Sequence, residues 1–340
     1  MYEVLVTRQV PSDGLVPLLQ RCTVTQLGYA GAAHRQKVLD HLINKDAVIA
    51  FVSDRVDGEF LAAGGRSLQV VSNYAAGVDN VDISACSHAG VLVCNTPDVV
   101  TETTADMAWA LLLACARRVV EGDRLVRSGD PWEWDPIQLL GFDVHGKTLG
   151  IVGLGRIGSA LCRRANGFGM RVLACGPSLL PGTRRSVAGQ QVSITSLDNL
   201  LACSDFISLH VSLSEATHHL IDERRLALLK PDAILVNTSR GALIDEAALV
   251  RVVVEGRIGG AALDVFEYEP EVSNTLLATP RVVLTPHLGS ASVATRRKMT
   301  YLAVQNVLSV RDRVLPEAAL NPEIWSAVMS RADKRGGVHR

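Results

Sequence analysis

The sequence predicts an α/β protein of about two domains, each built on a parallel sheet. Short apolar runs alternate with helix-patterned stretches along nearly the whole chain. Several of those runs, Ala233-Ile-Leu-Val-Asn237 among them, are continuous rather than alternating, as expected of strands covered on both faces. The 340 residues, 48% hydrophobic and 20% charged, suffice for two cores at roughly 150 residues each.

In chain order, Val4–Thr7, Ala47–Val52, Leu68–Tyr74 and Val91–Asn95 read as strands. Helix-like stretches lie between them near 12–21, 35–43, 57–63 and 82–89, a short βα period like that of a small flavodoxin-like domain. One amphipathic helix is predicted from Thr101 to about Val120. The segment Ser128-Gly-Asp-Pro-Trp-Glu-Trp-Asp-Pro136 follows, and its prolines and glycine make it a loop or arm. A second βα series has strands at Thr148–Gly153, Arg171–Cys175, Asp205–His210, Ala233–Asn237, Gly259–Val265 and Val282–Thr285. A helix near 291–311 comes next, and Ser330 to Arg340 reads as a polar, unstructured end.

Composition excludes several classes of function. With 34 basic and 35 acidic residues, net charge −1, nothing draws the chain in bulk to nucleic acid or anionic lipid. At 4% aromatic residues, base stacking is not its business. The most apolar helical stretch, Met107 to Ala116, falls far short of the ~20 residues of a membrane span. Seven cysteines with no CxxC spacing suggest reduced thiols in a cytoplasmic protein, and no metal ligands are assigned.

The strongest motif is Leu149-Gly-Ile-Val-Gly153-Leu154-Gly155-Arg156-Ile157-Gly158. Alone, a GxGxxG is weak. Here it follows an apolar strand and opens a helix, the context in which it binds a dinucleotide. Gly153 permits the tight turn, Gly155 admits the pyrophosphate, and Gly158 lets helix and strand pack closely. An acid about 20 residues on would hold the adenosine ribose of NAD. That place is taken by Gly176, so nothing there repels a 2′-phosphate. Arg184 and Arg185 follow, either as partners of such a phosphate or as a solvated basic loop. NADP is therefore slightly favoured over NAD.

Three more segments leave strand ends, where open α/β sheets bind ligands. They are Asn237-Thr238-Ser239-Arg240-Gly241, Asp264-Val-Phe-Glu-Tyr-Glu269-Pro270 and Thr285-Pro-His287-Leu-Gly289-Ser290. Reducing a 2-oxo acid needs a guanidinium for its carboxylate and carbonyl, which suits Arg240. It also needs a near-neutral acid, which suits His287, and a carboxylate to charge and orient that imidazole, which suits Glu269.

These segments, together with Asn73-Tyr-Ala-Ala-Gly-Val-Asp-Asn80, Asn95-Thr-Pro-Asp98, Thr104-Ala-Asp106 and Gly146 to Gly158, resemble the D-isomer-specific 2-hydroxyacid dehydrogenase family. The similarity is greatest to its glyoxylate/hydroxypyruvate reductase branch and runs from about Asp54 to Trp325. By that resemblance Arg240, Glu269 and His287 are the substrate-binding arginine, its acid partner and the proton donor. Asp264 falls near the nicotinamide and Thr104 near the cofactor phosphates. Leu154, Arg156, Ile157, Thr238, Ser239 and Gly289 complete the cofactor-binding set. Ala76 and Gly77 match a loop whose N–H groups meet the substrate carboxylate. Trp134 matches an aromatic that some reductases lend to a neighbouring subunit, or it is a plain dimer contact. Either way a homodimer is implied.

The resemblance also implies a Rossmann nucleotide-binding domain, 101–289, inserted into a flavodoxin-like substrate domain of 1–100 and 290–325, with 326–340 as a flexible tail. The helices near 101–120 and 291–311 would be hinges. Two departures stand out: Gly176 replaces the acid, and Ser212 replaces the proline usual after the fourth strand of the nucleotide domain. The implied reaction is reduction of glyoxylate or hydroxypyruvate by NAD(P)H. Another 2-oxo acid such as 2-ketogluconate is the alternative within the class. Phosphite oxidation would call for a lysine where Ala76 stands. Outside the class, the C-terminal-binding corepressors use the same fold as dinucleotide-gated scaffolds.

Overall fold

The computed structural model describes residues 1–28, 31 and 34–336, with side chains to 331. The chain forms two compact units, Met1–Val100 with Ala291–Arg340, and Thr101–Ser290.

The first unit alternates β1 (Glu3–Val6), α1 (Ser12–Leu19), β2 (Thr23–Gln26), α2 (His34–Leu42), β3 (Ala47–Ala50), α3 (Gly58–Gly64), β4 (Val70–Asn73), α4 (Ile83–His88) and β5 (Leu92–Cys94). Its sheet is wholly parallel in the order β2-β1-β3-β4-β5. β3 and β4 are buried along their whole length, which is why they read as unbroken apolar runs. Leu15, Leu18, Met299 and Val307 pack on one face of this sheet, and Val38, Phe60 and Cys86 on the other. Aspartates start two of the helices. Asp57 accepts the Phe60 N–H and Asp82 the Ala85 N–H, satisfying donors the helices cannot use themselves.

The second unit begins with α5 (Thr101–Ala116) and α6 (Val119–Ser128). It continues with β6 (Thr148–Val152), α7 (Arg156–Gly167), β7 (Arg171–Cys175), β8 (Arg184–Val187), β9 (Gln190–Ile194), α8 (Leu197–Cys203), β10 (Phe206–Leu209) and α9 (Glu223–Leu226). It closes with β11 (Ile234–Asn237), α10 (Glu246–Val254), β12 (Gly260–Leu263), α11 (Asn274–Ala278) and β13 (Val282–Leu284). The strand order is β13-β12-β11-β10-β6-β7-β9-β8, parallel except for β8 against β9. Leu112 and Leu161 cover one face and Leu200 and Leu249 the other, so the sheet is doubly wound. The remaining helices, α12 (Val293–Arg311) and α13 (Trp325–Gly336), belong to the first unit. Among the described residues no helix is long and apolar enough to cross a membrane.

The structure differs from the sequence reading at several points, beginning with β2 and β9, strands where none was expected. The single helix expected from Thr101 to about Val120 breaks after Ala116, and Arg118 is left-handed at φ 52°. The cause is distant in sequence: Phe142 N–H donates to the Ala116 carbonyl at 2.8 Å, and Gly141 crosses so closely that a Cβ there would lie 2.2 Å from that oxygen. The segment of Arg184 and Arg185, left open between phosphate partners and a basic loop, is an edge strand, β8, turned back onto β9 through Ala188 and Gly189, both at positive φ. The polar end is helical as far as Gly336, and residues 337–340 lie outside the described residues.

Candidate active site

β6 delivers the chain into the glycine-rich turn. Gly153 has φ 97°, and a Cβ there would stand 2.5 Å from the His210 carbonyl oxygen. A Cβ at Gly158 would stand 2.1 Å from the Gly153 oxygen, so α7 approaches the strand as only glycine allows. At Gly155 a Cβ would meet nothing within 4 Å. Gly155 is also the N-cap of α7, with no side-chain cap, leaving space and helix N-terminal polarity for an anion. Leu154 and Ile157 are half-buried beside it, and Arg156 is exposed.

Two neighbouring strands end in polar atoms that lack partners among the described residues. Leu209 of β10 lies opposite Asn237 of β11. Just beyond them, His210 Nδ1 and Thr238 Oγ1 are enclosed without a hydrogen bond to any described residue. The other imidazole nitrogen of His210 meets Ser208 Oγ at 2.9 Å, and burial pushes its pKa down to about 4, so the ring is neutral. Open space at Gly155 and unsatisfied groups at Thr238 and His210 fit a dinucleotide. The sequence reading passed over His210, whose only signal was a polar side chain at a strand's carboxyl end. Ser239 is spoken for: its N–H donates to Asn237 Oδ1 at 3.0 Å and its hydroxyl to the Leu209 carbonyl at 3.0 Å.

Gly176 follows β7 directly. Its φ is not positive, and a Cβ would touch only Leu179, at 3.5 Å. The backbone therefore does not demand glycine here. Arg184 lies opposite Ser193 on β9, which lies opposite Leu173 on β7. Two strand spacings, roughly 10 Å, separate Arg184 from Leu173 of β7.

The proton-handling residues come together at the ends of β11, β12 and β13. His287 Nδ1 lies 2.9 Å from Glu269 Oε2, while Glu269 Oε1 accepts the Phe266 N–H at 3.0 Å. Burial raises the Glu269 pKa, but the His287 hydrogen bond and charge, the Phe266 N–H and the Arg240 charge outweigh it and hold the carboxyl below its ordinary value. Arg240 is half-buried, with Nη1 donating to the Ser239 carbonyl at 2.8 Å. Gly241 beside it has no room for a side chain, since a Cβ would lie 1.9 Å from the Phe266 carbonyl carbon.

Asp264 is fully buried and organises the last loop. Oδ1 accepts the Thr285 hydroxyl at 2.6 Å and the Leu288 N–H at 2.7 Å, and Oδ2 accepts the Gly289 N–H at 2.7 Å. Its backbone carbonyl accepts the His287 N–H at 2.8 Å, at a residue held left-handed with φ 55°. Desolvation nevertheless leaves the Asp264 pKa raised, against the pull of those hydrogen bonds. A Cβ on Gly289 would meet Asp264 Oδ2 at 3.3 Å and Thr104 Cγ2 at 3.4 Å, so Thr104, Asp264 and Gly289 share one small space.

In the first unit, Ala76 and Gly77 lie in the loop after β4. Their carbonyls are bound by Asn95 Nδ2 at 2.9 Å and Asn73 Nδ2 at 3.0 Å. Their N–H groups donate to no described residue, leaving two donors in a braced loop. Trp134 lies on the irregular arm after α6 and is 83% exposed.

Residues 109–289 match the family model described as the NAD-binding domain of D-isomer-specific 2-hydroxyacid dehydrogenases. The glyoxylate reductase of Thermococcus onnurineus is 43% identical over 327 residues, 95% of this chain and 96% of that protein. The TT0316 protein of Thermus thermophilus superposes with a TM-score of 0.85 at 41% identity, covering 94% of this chain and 99% of that one. An NADPH-dependent glyoxylate/hydroxypyruvate reductase of Sinorhizobium meliloti, solved with NADP and malonate, gives 0.79 at 30% identity, covering 94% and 96%. The doubly wound sheets, the dinucleotide turn and these likenesses agree: the chain belongs to the D-isomer-specific 2-hydroxyacid dehydrogenase family.

Proposed function

We propose that this protein reduces glyoxylate or hydroxypyruvate to the corresponding 2-hydroxy acid. The observation that carries the reading is the 2.9 Å contact between His287 and Glu269, with the Arg240 charge felt at the same carboxylate. The Gly153–Gly158 turn with Thr104, Thr238 and His210 would hold NAD(P)H, which when bound would supply the hydride. Arg240 binds the substrate carboxylate and polarises the carbonyl. Glu269 occupies Nδ1 of His287, leaving Nε2 to give its proton to the carbonyl oxygen as the C–H bond forms. Glu269 stays ionised and orients the ring that must do this. Asp264 sets the loop that aims His287. Absorbance at the nicotinamide band, followed over a panel of 2-oxo acids, tests the substrate class; no oxidation with any of them contradicts it.

The missing acid at Gly176 and the nearby Arg184 and Arg185 support a preference for NADPH. Comparing kcat/KM for NADPH and NADH tests it, and a large NADH advantage overturns it.

The arm and α6 support a homodimer. Trp132 is 54% exposed, Trp134 83%, Ile137 74% and Leu140 58%, while α6 buries no residue. So much apolar surface in one segment marks a protein contact, and a second copy is the partner proposed. Sedimentation gives the oligomeric state; a monomer at micromolar concentration excludes it. The free cysteines, all but Cys203 buried, suit a reducing cytoplasm.

A further inference from the structure

The loop that carries Glu269 carries a second acid two residues earlier. Glu267 directs its side chain to the segment that follows β10, where Oε1 lies 2.8 Å from His219 Nε2. The Glu267 side chain is only 9% exposed. Oε2 accepts the Glu246 N–H at 3.2 Å, and Glu246 Oε2 accepts the Glu267 N–H at 3.0 Å in return. Burial works against ionisation there, but His219 and the Glu246 N–H prevail and hold the carboxyl below its ordinary value.

His219 is left-handed, at φ 48°, with its N–H fixed to the Ala242 carbonyl at 2.8 Å. In extended chain, adjacent side chains point to opposite sides. This turn instead brings the rings of His218 and His219 face to face, centroids 4.0 Å apart and 29° between planes. One ligand atom from each of His218, His219 and Glu267 then lies within 4.8 Å of the others.

We propose that His218, His219 and Glu267 bind a divalent transition-metal cation, with Zn2+ as the representative ion. Two imidazoles and one carboxylate are borderline donors suited to that class. At bonds of about 2.0–2.1 Å two cis ligands of an octahedral ion lie roughly 2.9 Å apart, and two ligands of a tetrahedral ion roughly 3.3 Å. The 2.8 Å between His219 Nε2 and Glu267 Oε1 therefore suits an octahedral set with little movement. His218 is exposed, and its ring makes no hydrogen bond among the described residues, so it is free to swing inward and complete the set. Water fills the other positions. The sequence shows no metal motif because Glu267 and His219 are 48 residues apart. Burial pushes the thiols of Cys86, Cys94 and Cys115 up to about 12, so these three do not compete at neutral pH. A bound cation would cross-link the 218–219 segment to the loop bearing Glu269, and the Glu246–Glu267 pair extends that link to the start of α10.

Calorimetric titration of the chelator-stripped protein with Zn2+ alone tests this, alongside His218→Ala, Glu267→Gln and His287→Ala. One saturable ion per chain is expected, with affinity falling at least about tenfold in the first two variants and unchanged in the third. Because His218 is exposed, its variant keeps the fold even if Glu267→Gln does not. A zinc-edge anomalous peak between the three side chains would fix the position. No saturable binding, binding untouched by His218→Ala, or loss confined to His287→Ala each overturns the proposal.

Discussion

His287 Nδ1 lies 2.9 Å from Glu269 Oε2, on loops leaving the adjacent strands β12 and β13. That contact selects which ring nitrogen remains for proton transfer. Asp264 makes it possible by holding the His287 N–H at 2.8 Å through its carbonyl and the rest of the loop through its carboxylate.

Glu269→Gln removes the carboxylate charge while keeping a hydrogen-bonding side chain. Glu269 is held below its ordinary value, so the wild-type partner of His287 is the ionised form. Turnover of the 2-oxo acid should fall by about tenfold or more in the variant with cofactor binding unchanged, because Nδ1 of the ring loses the carboxylate that orients it. Wild-type turnover would mean the two residues are not coupled.

Arg240→Ala should raise KM and lower kcat together, because the guanidinium is assigned both the carboxylate and the carbonyl. Arg240→Lys should rescue little, since an ammonium cannot reproduce the planar fork. Wild-type constants in either variant would remove Arg240 from the substrate site.

The glycines of the nucleotide turn differ testably. Gly158→Ala forces a Cβ to within 2.1 Å of the Gly153 oxygen. It should cost about 1–3 kcal/mol in stability and abolish cofactor binding. Gly176→Asp meets only Leu179 and should fold normally. Its kcat/KM ratio should shift toward NADH, because the new carboxylate accepts ribose hydroxyls and repels a 2′-phosphate. A ratio unmoved by Gly176→Asp would place cofactor choice elsewhere.

His210 makes a prediction about stability. Its pKa is about 4 in the folded chain and near 6.5 unfolded. Between these values the unfolded state takes a proton the folded state refuses, so stability falls as pH drops from about 6.5 to 4. Tm measured across that window for wild type and His210→Asn checks it, and the variant should show the shallower dependence. Equal slopes would show that the imidazole is not confined in neutral form.

Much of this was legible because parallel strands buried on both faces are written as unbroken apolar runs, and because glycine spacing in a βα turn reflects steric need. Gly153 and Gly158 are where backbone atoms leave no room for a Cβ. The strand-end positions of Arg240, Glu269 and His287 could be read for the same reason. The break after Ala116 could not, because its cause is the crossing of Gly141 and Phe142, 25 or more residues on. Nor could β8, whose Ala188-Gly189 turn lacks the asparagine or aspartate that usually announces a tight hairpin. His210 was missed because one polar side chain at a strand end is a weak signal, and the His218–His219–Glu267 group because its carboxylate comes from a loop 48 residues away.

The most direct measurement compares NADPH oxidation by wild type and His287→Ala with glyoxylate and hydroxypyruvate, while cofactor binding is followed separately by nicotinamide fluorescence. Turnover with at least one substrate should fall by something like 10²–10⁴-fold in the variant, with cofactor binding unchanged. Wild-type turnover by His287→Ala, or no turnover of either substrate by the wild-type protein, would contradict the proposed reaction.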